Sequence, residues 1–520
     1  MSKNLFQLIK RLSPNEKGYF KKTSKIHSME GNNVYVRLFD ILDKQAEYDK
    51  KEIDAIFKDK KTISQLPVLS NYLYHLLLDT LEEFHSGKTA ESKLKKLLSH
   101  AEQLYAKGLY EQARALVDKI KTKAEQAEIF LVLLHTYAFE GKLALMEHNL
   151  ENLKKHADIL NEFQKKVHEK FKNYSEYRQI VSHLFYLSKS SGRHLKSQKD
   201  QLELEKLMKH PLLADRKAAL SVSALNNFLL IHSYYNDIKK DRSIPLSIKF
   251  NMERIKLLED NIHYTSQSPS VYFSALNNLL LNAGEMFDPD LFSLLLEKTK
   301  NASITLKTKF NPDVENFKDF IYLKYRIFQG FITGDFQGTL DFLKGKENLY
   351  YDFHKEKSEE DVLIYCQNLS ILFFGVGDLK RSLNWLNEFL QSGQERLRMD
   401  MWILSHWMNI IIQIELNNIE FAGSLLRSFN RFLQKHPKDY LFERDFAKIL
   451  KSYIEASLNE KQVEQADKLK QLKTSLRTYR TSGHINEADF SFLLPWVKSK
   501  LQKRPFIEVY KKCLPEFGKN

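Results

Sequence analysis

Residues 101–120 read AEQLYAKGLYEQARALVDKI, and this stretch decides the fold class. Lys107-Gly108 ends one helix, and a second helix begins at once. The apolar residues of the second helix follow at intervals of three, four and three, which places on one helical stripe Tyr110, Ala113, Val117 and Ile120. The stretch therefore predicts two short helices joined by a glycine turn.

The same unit of short helix, turn and short helix returns along the chain. It recurs around Gly141, Gly334 and Gly377, and around Asn417, where asparagine takes the turn position. Glycine and asparagine both accept the left-handed backbone that often ends a helix, so each site is typical of a helical hairpin. The chain is therefore predicted to be all-α and built as an array of hairpins. Such an array is a scaffold and does not by itself indicate a chemistry.

Composition favours the same fold class. The 520 residues include only 17 glycines and 11 prolines, which are too few turn residues for an all-β protein. Hydrophobic residues make up 43% of the chain and aromatic residues 12%, which argues for an ordered core and against long disordered regions.

The cysteines and the apolar runs bear on the compartment. Cys366 and Cys513 lie far apart and have no CxxC motif or histidine partner at metal-ligand spacing. A reducing compartment is therefore expected, and a disulfide framework is not. The N-terminal residues MSKNLFQLIKRLSPNE contain too short an apolar run for a secretory signal, and no other run approaches membrane-spanning length. We therefore expect a cytoplasmic protein without membrane insertion.

The net charge of +14 is concentrated at the two ends of the chain. Residues 1–30 carry +5 and residues 461–520 carry +7, so the body between them is nearly balanced. Basic ends fit phosphate, acidic protein or an anionic membrane surface. They also fit lysine-rich caps that keep the exposed end repeats hydrated. The caps are favoured over a nucleic-acid role, because the cations are mostly lysines interspersed with acidic residues.

Residues 1–86 are predicted to form an N-terminal module of short helices that does not match the later hairpins. Ser13-Pro14-Asn15-Glu16 is a capping box, which predicts a helix from Pro14 to about His27. Further helices are expected at 34–46, 51–57 and 67–84, the first of them with four inward residues, Leu38, Phe39, Ile41 and Leu42. A helix-turn-helix reader is not favoured, because no glycine turn joins a candidate pair and residues 58–61 fall in a predicted loop.

Residues 91–460 resemble the tetratricopeptide repeat family. The best copy of the pattern is Leu97, Leu104, Gly108, Tyr110, Ala113 and Val117, and a poorer copy is Tyr137, Gly141, Leu143, Met146 and Leu150. Their turn glycines are 33 residues apart, close to the period of about 34 in that family. Later copies, with turns 43 and 40 residues apart, are Gly334, Phe336 and Thr339, then Gly377, Leu379 and Ser382, then Asn417, Ile419 and Ala422. The resemblance implies a right-handed superhelical array of antiparallel helix pairs, an α-solenoid, with degenerate repeats.

The sequence further predicts a division into four parts. These are the N-terminal module at 1–86, a first lobe of the helical array at 87–310, a second lobe at 311–460, and basic capping helices at 461–520. The boundary between the lobes rests on Asn311-Pro312, because proline disfavours helix at the residue before it. Within the last part, a helix at 461–480 and a turn at Ser482-Gly483 are expected.

The pentapeptide SALNN occurs twice, at 223–227 and at 274–278. By the resemblance to tetratricopeptide repeats, four asparagines would face a concave groove and bond the backbone of an extended peptide, namely Asn226, Asn227, Asn277 and Asn278. A side-chain amide suits that role because it both donates and accepts. The alternative, which is slightly favoured, is that these amides hydrogen-bond between helices of the stack.

Tryptophans mark a second candidate region, because Trp402 and Trp407 together with Trp385 make the segment after Gly377 aromatic. Aromatic residues at helical spacing are typical of a core. The alternative is that Trp402 and Trp407 anchor a bound peptide.

No catalytic, cofactor or metal site is predicted. Residues 86–89, SGKT, resemble the end of a phosphate-binding loop, but Glu82 stands where that loop needs glycine. Gly375-Val376-Gly377 lacks the third glycine of a dinucleotide fingerprint, and the histidines form no HExxH motif.

The leading functional hypothesis is a non-catalytic scaffold or adaptor that binds a protein or peptide partner in a concave groove. The main alternative is a nucleic-acid-binding regulator with basic terminal modules and a helical sensor array. An enzyme comes third, because no motif supports it.

Overall fold

The computed structural model describes most of the chain, namely residues 2–26, 34–57, 60–85, 87, 89–146, 150–190, 198–239, 241–346, 359–391, 399–435 and 440–518. These residues form helices and the turns between them, and no β-strand occurs among them. The all-α prediction is confirmed. The chain divides into two compact units, Met1–Val167 and His168–Asn520. We describe each unit by itself.

The first unit is built from short helices followed by a helical hairpin. Its helices are α1 (Ser2–Arg11), α2 (Pro14–Ile26), α3 (Val34–Lys44), α4 (Lys50–Phe57), α5 (Lys60–His85), α6 (Ala90–Ala106), α7 (Tyr110–Gln126) and α8 (Phe130–Ala144). A long helix, α9 (Leu150–Ser190), begins in this unit and ends in the second.

The capping box at the start of α2 is confirmed. The Ser13 backbone N–H donates to the Glu16 carboxylate at 2.7 Å, and the Glu16 N–H donates to Ser13 Oγ at 3.3 Å. Helices α3 and α4 also occupy the predicted positions, and the four residues expected to face inward from α3 are all buried.

Helix α5 begins earlier than the sequence predicts. It starts at Lys60, so Pro67 lies inside the helix and Lys60 and Lys61 are helical, contrary to the predicted loop. Residues 58 and 59 of that loop lie outside the described residues. Proline breaks a helix chiefly by removing one backbone hydrogen bond and crowding the preceding turn. Here the buried residues on either side of it, Leu66 and Leu73, hold the helix against the core.

The hairpin that decided the fold class is present. Gly108 has a φ of 75°, and the N–H of Leu109 closes the turn on the carbonyl of Leu104 at 3.0 Å. Three of the four stripe residues of α7 are buried. The fourth, Tyr110, is exposed and lies against the ring of Tyr105 at 5.4 Å, so it belongs to the turn surface and not to the core.

The turn predicted at Gly141 is wrong, because Gly141 lies inside α8. The chain turns before α8 at Glu128, which has a φ of 51°, and the Ile129 N–H donates to the Ala124 carbonyl at 2.9 Å. Helix α8 itself ends at Ala144, three residues after Gly141. A glycine within a helix costs only about 1 kcal/mol relative to alanine, so glycine alone does not mark a helix end. The spacing of 33 residues between Gly108 and Gly141 is therefore not a repeat period in this structure.

The second unit is a series of helix pairs. Its helices are α10 (Gln198–Met208), α11 (Val222–Ile238), α12 (Ile244–Asp260), α13 (Ile262–Gln267), α14 (Pro269–Glu285), α15 (Pro289–Lys300), α16 (Ala302–Thr305), α17 (Pro312–Thr333), α18 (Phe336–Leu343), α19 (Glu359–Gly375), α20 (Leu379–Gln391), α21 (Met399–Glu415), α22 (Ile419–Lys435), α23 (Leu441–Leu458), α24 (Gln462–Thr481), α25 (Glu487–Gln502) and α26 (Phe506–Cys513). The pairs are α11/α12, α14/α15, α17/α18, α19/α20, α21/α22, α23/α24 and α25/α26. We call α11, α14, α17, α19, α21, α23 and α25 the first helices of the pairs.

The predicted turns of this unit are left-handed, as expected. The φ angles of Gly334, Gly377 and Asn417 are 69°, 86° and 62°, and that of Gly483 is 71°. The same backbone also occurs at residues that do not favour it, namely Phe287, Lys307, Glu460 and Lys503. The sequence signals only those turns in which glycine or asparagine takes the left-handed position.

One hydrophobic core runs through most of the second unit, from Ile255 to Phe517. Asn311 caps α17 by accepting the Val314 N–H at 2.9 Å, so Asn311-Pro312 starts a helix. Phe310 and Phe320, on either side of this cap, belong to the same core. The predicted boundary between two lobes thus falls within a continuous core.

Candidate functional site

The first SALNN copy lies in α11, and its asparagines are buried. Asn226 Oδ1 accepts a hydrogen bond from Arg254 Nε at 3.2 Å, which ties α11 to α12. The amide nitrogen of Asn227 is buried and has no hydrogen-bond partner. Asn226 therefore makes the interhelical contact that was the alternative to peptide binding.

The second copy lies in α14, and its asparagines are half-buried. The Tyr325 hydroxyl donates to the Asn277 carbonyl at 2.9 Å and to Asn277 Oδ1 at 3.0 Å, which ties α14 to α17. The Asn277 amide also lies 3.5 Å from Asn278 Oδ1. The two copies thus contact different partners.

Asn226 belongs to a buried polar network centred on Arg254, which is only 1% exposed. Arg254 Nη1 donates to Asn251 Oδ1 at 3.0 Å, and the Asn251 amide donates to Asn282 Oδ1 at 2.9 Å. The Asn282 amide then donates to Asp237 Oδ1 at 3.0 Å. Two asparagines therefore connect the guanidinium to a carboxylate through hydrogen bonds that all point the same way.

The electrostatics of the network follow from this arrangement. Burial lowers the pKa of the Arg254 guanidinium to about 10, so the side chain remains a cation at neutral pH. A buried cation is costly unless hydrogen bonds and counter-charge compensate it. The amide of Asn251 provides a hydrogen bond, and the carboxylate of Asp237, which Asn251 and Asn282 connect to the guanidinium, provides the counter-charge. Sequence reasoning missed this centre, and the available signal was Asn251 three residues before Arg254 on one helix.

The tryptophan candidates separate into a core residue and a surface residue. Trp407 is 0% exposed and packs edge-on against Phe429 and Phe446, with ring centroids 4.9 and 5.0 Å away. Its indole is thus inside the helix pairs and out of a partner's reach. Trp402 is half-buried, with the ring of Phe432 at 4.6 Å.

The last helices of the chain fold back along the ends of the first helices. We call residues 496–518 the C-terminal strap. Trp496 Nε1 donates to Glu415, the last residue of α21, at 2.8 Å. The ring of Phe506 lies 5.0 Å from that of Phe374 in α19.

Beyond Phe506 the strap continues toward earlier helices. The Tyr510 hydroxyl donates to the Phe331 carbonyl in α17 at 3.0 Å, and the ring of Phe517 lies 5.2 Å from Phe287, just after α14. The strap therefore meets α21, α19, α17 and α14 in that order. A partner that used these four helix ends would have to displace the strap.

Ion pairs hold the strap in place at Glu516. This carboxylate pairs with Lys498 and, at 3.0 Å, with Arg477. Burial opposes its ionisation, but the hydrogen bonds from Lys498 and Arg477 prevail and lower the pKa of Glu516. At the very end, the Gly518 N–H donates to Glu487 at 3.0 Å.

Other basic residues of the C-terminal region also form ion pairs. Arg480 pairs with Glu487 at 3.1 Å and Lys500 with Glu415 at 3.2 Å, so several of the cations after residue 460 already have carboxylate partners within the protein. At the N-terminus, Lys17 pairs with Asp43 and Lys21 with Asp40, both at 2.6 Å.

The two glycine motifs that the sequence analysis rejected as nucleotide sites can also be located. Gly375-Val376-Gly377 forms the turn between α19 and α20, whereas residues 86 and 88 of the SGKT segment lie outside the described residues. In the described part of the chain, no group of three or more His, Cys, Asp or Glu side chains is arranged to hold a metal ion. Among the same residues, no helix combines the length and the apolar character that crossing a bilayer requires.

Comparison with known proteins adds no further information. No protein-family model, curated protein or solved structure matches this chain. Its function has to be argued from the geometry above.

Proposed function

We propose that this chain is a non-catalytic, tetratricopeptide-like scaffold that binds a segment of a protein partner in the cytoplasm. One observation carries the proposal, which is that large apolar side chains are exposed on both sides of hairpin turns. Leu416 and Phe421 flank the Asn417 turn, and Leu458 and Val463 flank the Glu460 turn. These four residues flank the turns of two successive helix pairs, and exposed apolar patches are typical of interaction surfaces.

A large fraction of each of these apolar side chains is exposed and available for burial against a partner. Phe421 is 53% exposed and Val463 is 79% exposed. In the first unit, Leu109 and Tyr110 are also exposed beside the Gly108 turn, but only on its C-terminal side. Burying such side chains against a partner would contribute about 25 cal/mol per Å² of apolar surface.

The hydrogen bonds of the asparagines limit which residues of the predicted concave groove a partner can contact. Asn226 and Asn277 already bond Arg254 and Tyr325, so a peptide that bonded them would compete with contacts inside the protein. We propose Asn278 and Trp402, which are half-buried, as the members of the predicted site that a partner contacts.

The test is affinity capture with the tagged full chain, crosslinked in cells, treated with nuclease and analysed by mass spectrometry. The variant F421S/V463S removes two exposed apolar groups from the turns. The control L294S/I304S removes two that are equally exposed elsewhere in the second unit. We expect a stoichiometric protein partner that survives nuclease, is retained by the control and is lost from the turn variant.

Two results would refute this proposal. Equal retention of the partner by the turn variant and the control would show that the turns do not contact the partner. Capture of nucleic acid alone, lost after nuclease treatment, would instead support the regulator with basic ends.

A further inference from the structure

The C-terminal strap carries four exposed cations, Lys503, Arg504, Lys511 and Lys512. None of their side chains forms an ion pair or a hydrogen bond with the described residues. This distinguishes them from Arg477, Arg480, Lys498 and Lys500, which all pair with carboxylates. Within the strap, the cations without a carboxylate partner among the described residues therefore lie on one short segment, residues 503–512.

Packing holds this segment in a fixed position. Helix α26 is anchored by the Tyr510 hydrogen bond and by the ring contact between Phe506 and Phe374. The stem of Lys511 lies across Gly334, because a methyl group added to that glycine would be 2.8 Å from Lys511 Cγ. A long side chain whose stem is packed presents its ammonium group to solvent. The packed helix thus fixes the backbone that carries the cations, and the stem of Lys511 is held as well.

The cations form two clusters at the two ends of α26. Lys503 and Arg504 precede the helix, and Lys511 and Lys512 lie in its last turn. Eight helical residues span about 12 Å. An extended segment covers that distance with about four residues, at about 3.3 Å each. A ligand with two acidic clusters separated by four residues would match both ends.

We propose that this part of the strap is the docking site for an acidic segment of a protein partner. The inference rests on the proposed scaffold function, because it names the surface and the chemistry of the partner. Complementary charge gives such a contact its specificity and its association rate.

Two observations favour protein over nucleic acid as the partner. Glu508 is exposed between the two cationic clusters, where a continuous phosphate backbone would meet a like charge. The strap also borders the Asn417 turn through the Lys500–Glu415 ion pair, and this turn exposes Leu416 and Phe421. An acidic segment that also carries apolar side chains can cover both surfaces, whereas a phosphate backbone has no apolar groups to bury there.

The probe is a fluorescein-labelled peptide of about 12 residues, with glutamate clusters at both ends and leucine and phenylalanine between them. A labelled single-stranded oligonucleotide of equal charge serves as the competing class of ligand. Binding of each to the full chain is followed by fluorescence anisotropy over a range of salt concentrations, because charge contacts weaken with ionic strength.

Charge-reversal variants locate the binding. The strap variant is K503E/R504E/K511E/K512E. The control variant makes the same change of net charge on exposed lysines elsewhere in the second unit and is K300E/K307E/K309E/K448E. We expect the strap variant to weaken peptide binding by about tenfold or more and the control to weaken it by less than about threefold.

A single substitution separates binding from folding. Lys503 has a φ of 51°, a backbone conformation that glycine adopts without steric cost. K503G should therefore leave the melting temperature unchanged or raised while it weakens peptide binding. A merely structural role for Lys503 would not combine these two effects.

Three results would overturn the inference. One is an equal loss of binding in the strap and control variants, which would mean non-specific attraction to a basic protein. Another is tighter, strap-dependent binding of the oligonucleotide, and the third is no binding of the peptide. If the strap variant still captures the cellular partner through the turns, the scaffold function stands and only this inference fails.

Discussion

Arg254 is the side chain whose environment constrains the second unit most tightly. Its guanidinium is buried, and its described hydrogen bonds go to the amides of Asn226 and Asn251. Those amides therefore act as structural acceptors, whatever else they contact. Removing one of them leaves a donor of a buried cation without a partner, which is costlier than losing an ordinary hydrogen bond.

Asn226→Ala should accordingly destabilise the second unit by about 1–3 kcal/mol. Urea unfolding followed by tryptophan fluorescence measures this unit directly, because the tryptophans are Trp385, Trp402, Trp407 and Trp496. Asn278→Ala is the control, with an expected change below about 0.5 kcal/mol. Equal stability of both variants and the parent, with loss of partner binding in Asn226→Ala, would instead support the groove role.

Asp489 is a second residue whose burial has a measurable consequence. It is 2% exposed, and its Oδ1 atom has no hydrogen-bond partner. Burial, together with the charges of Glu443 and Asp400, raises the pKa of this carboxyl well above its usual range. From about pH 4 upward the folded chain holds a proton that the unfolded chain has lost, so this group makes stability fall as pH rises.

Asp489→Asn should remove the contribution of this carboxyl to the fall of stability with rising pH. The amide oxygen can still accept the Asn486 hydrogen bond that Oδ2 accepts at 2.8 Å. The variant is expected to be more stable than the parent at pH 7, with a difference that shrinks toward pH 4. Urea midpoints measured across this range provide the test, and a difference independent of pH would contradict the assignment.

The hairpin turns are the elements that determine where each pair of helices reverses. Gly377 and Glu460 occupy equivalent left-handed positions, although only glycine adopts this backbone without strain. Gly377→Ala should therefore destabilise the second unit by about 1 kcal/mol, and Glu460→Gly should stabilise it by up to about 1 kcal/mol. Urea unfolding of the two variants tests this pair of opposite signs, and two changes of the same sign would contradict it.

Helix α26 is an element whose attachment depends on a few large side chains. Tyr510 is buried, contacts the ring of Phe336 at 4.9 Å and bonds Phe331. Tyr510→Ala should cost about 3–5 kcal/mol and expose apolar surface to a hydrophobic dye. Glu508→Ala changes an exposed residue of the same helix and should stay within about 0.5 kcal/mol. A similar loss in both variants would show that the helix as a whole, and not this anchor, is sensitive.

At the scale of the whole molecule, local signals in the sequence account for the helices and for part of the turns. Gly108, Gly334, Gly377 and Asn417 were found because their residue types favour a left-handed backbone. Phe287, Glu460 and Lys503 adopt the same backbone against their preference, so tertiary packing decides those turns. Gly141 shows the converse, since a glycine inside a helix gives the same local signal as a turn.

The candidate site was less predictable than the fold, for a reason of sequence distance. The paired asparagines stand out in the sequence, but Arg254 is 28 residues from Asn226 and Tyr325 is 48 residues from Asn277. No local pattern connects such partners. The basic C-terminus was likewise visible as composition, whereas its division into paired and unpaired cations depends on which carboxylates the fold brings near.

The strap also has a consequence for the order in which the protein is made. Tyr510 and Phe331 are 179 residues apart, so their contact forms only after the intervening residues have left the ribosome. Until then Phe374, Phe336 and Phe287 lack their ring contacts with Phe506, Tyr510 and Phe517. Contacts of such long range slow folding and prolong the exposure of apolar surface. A chain that terminates before α26 would keep that surface open and would be a ready substrate for chaperones and proteases.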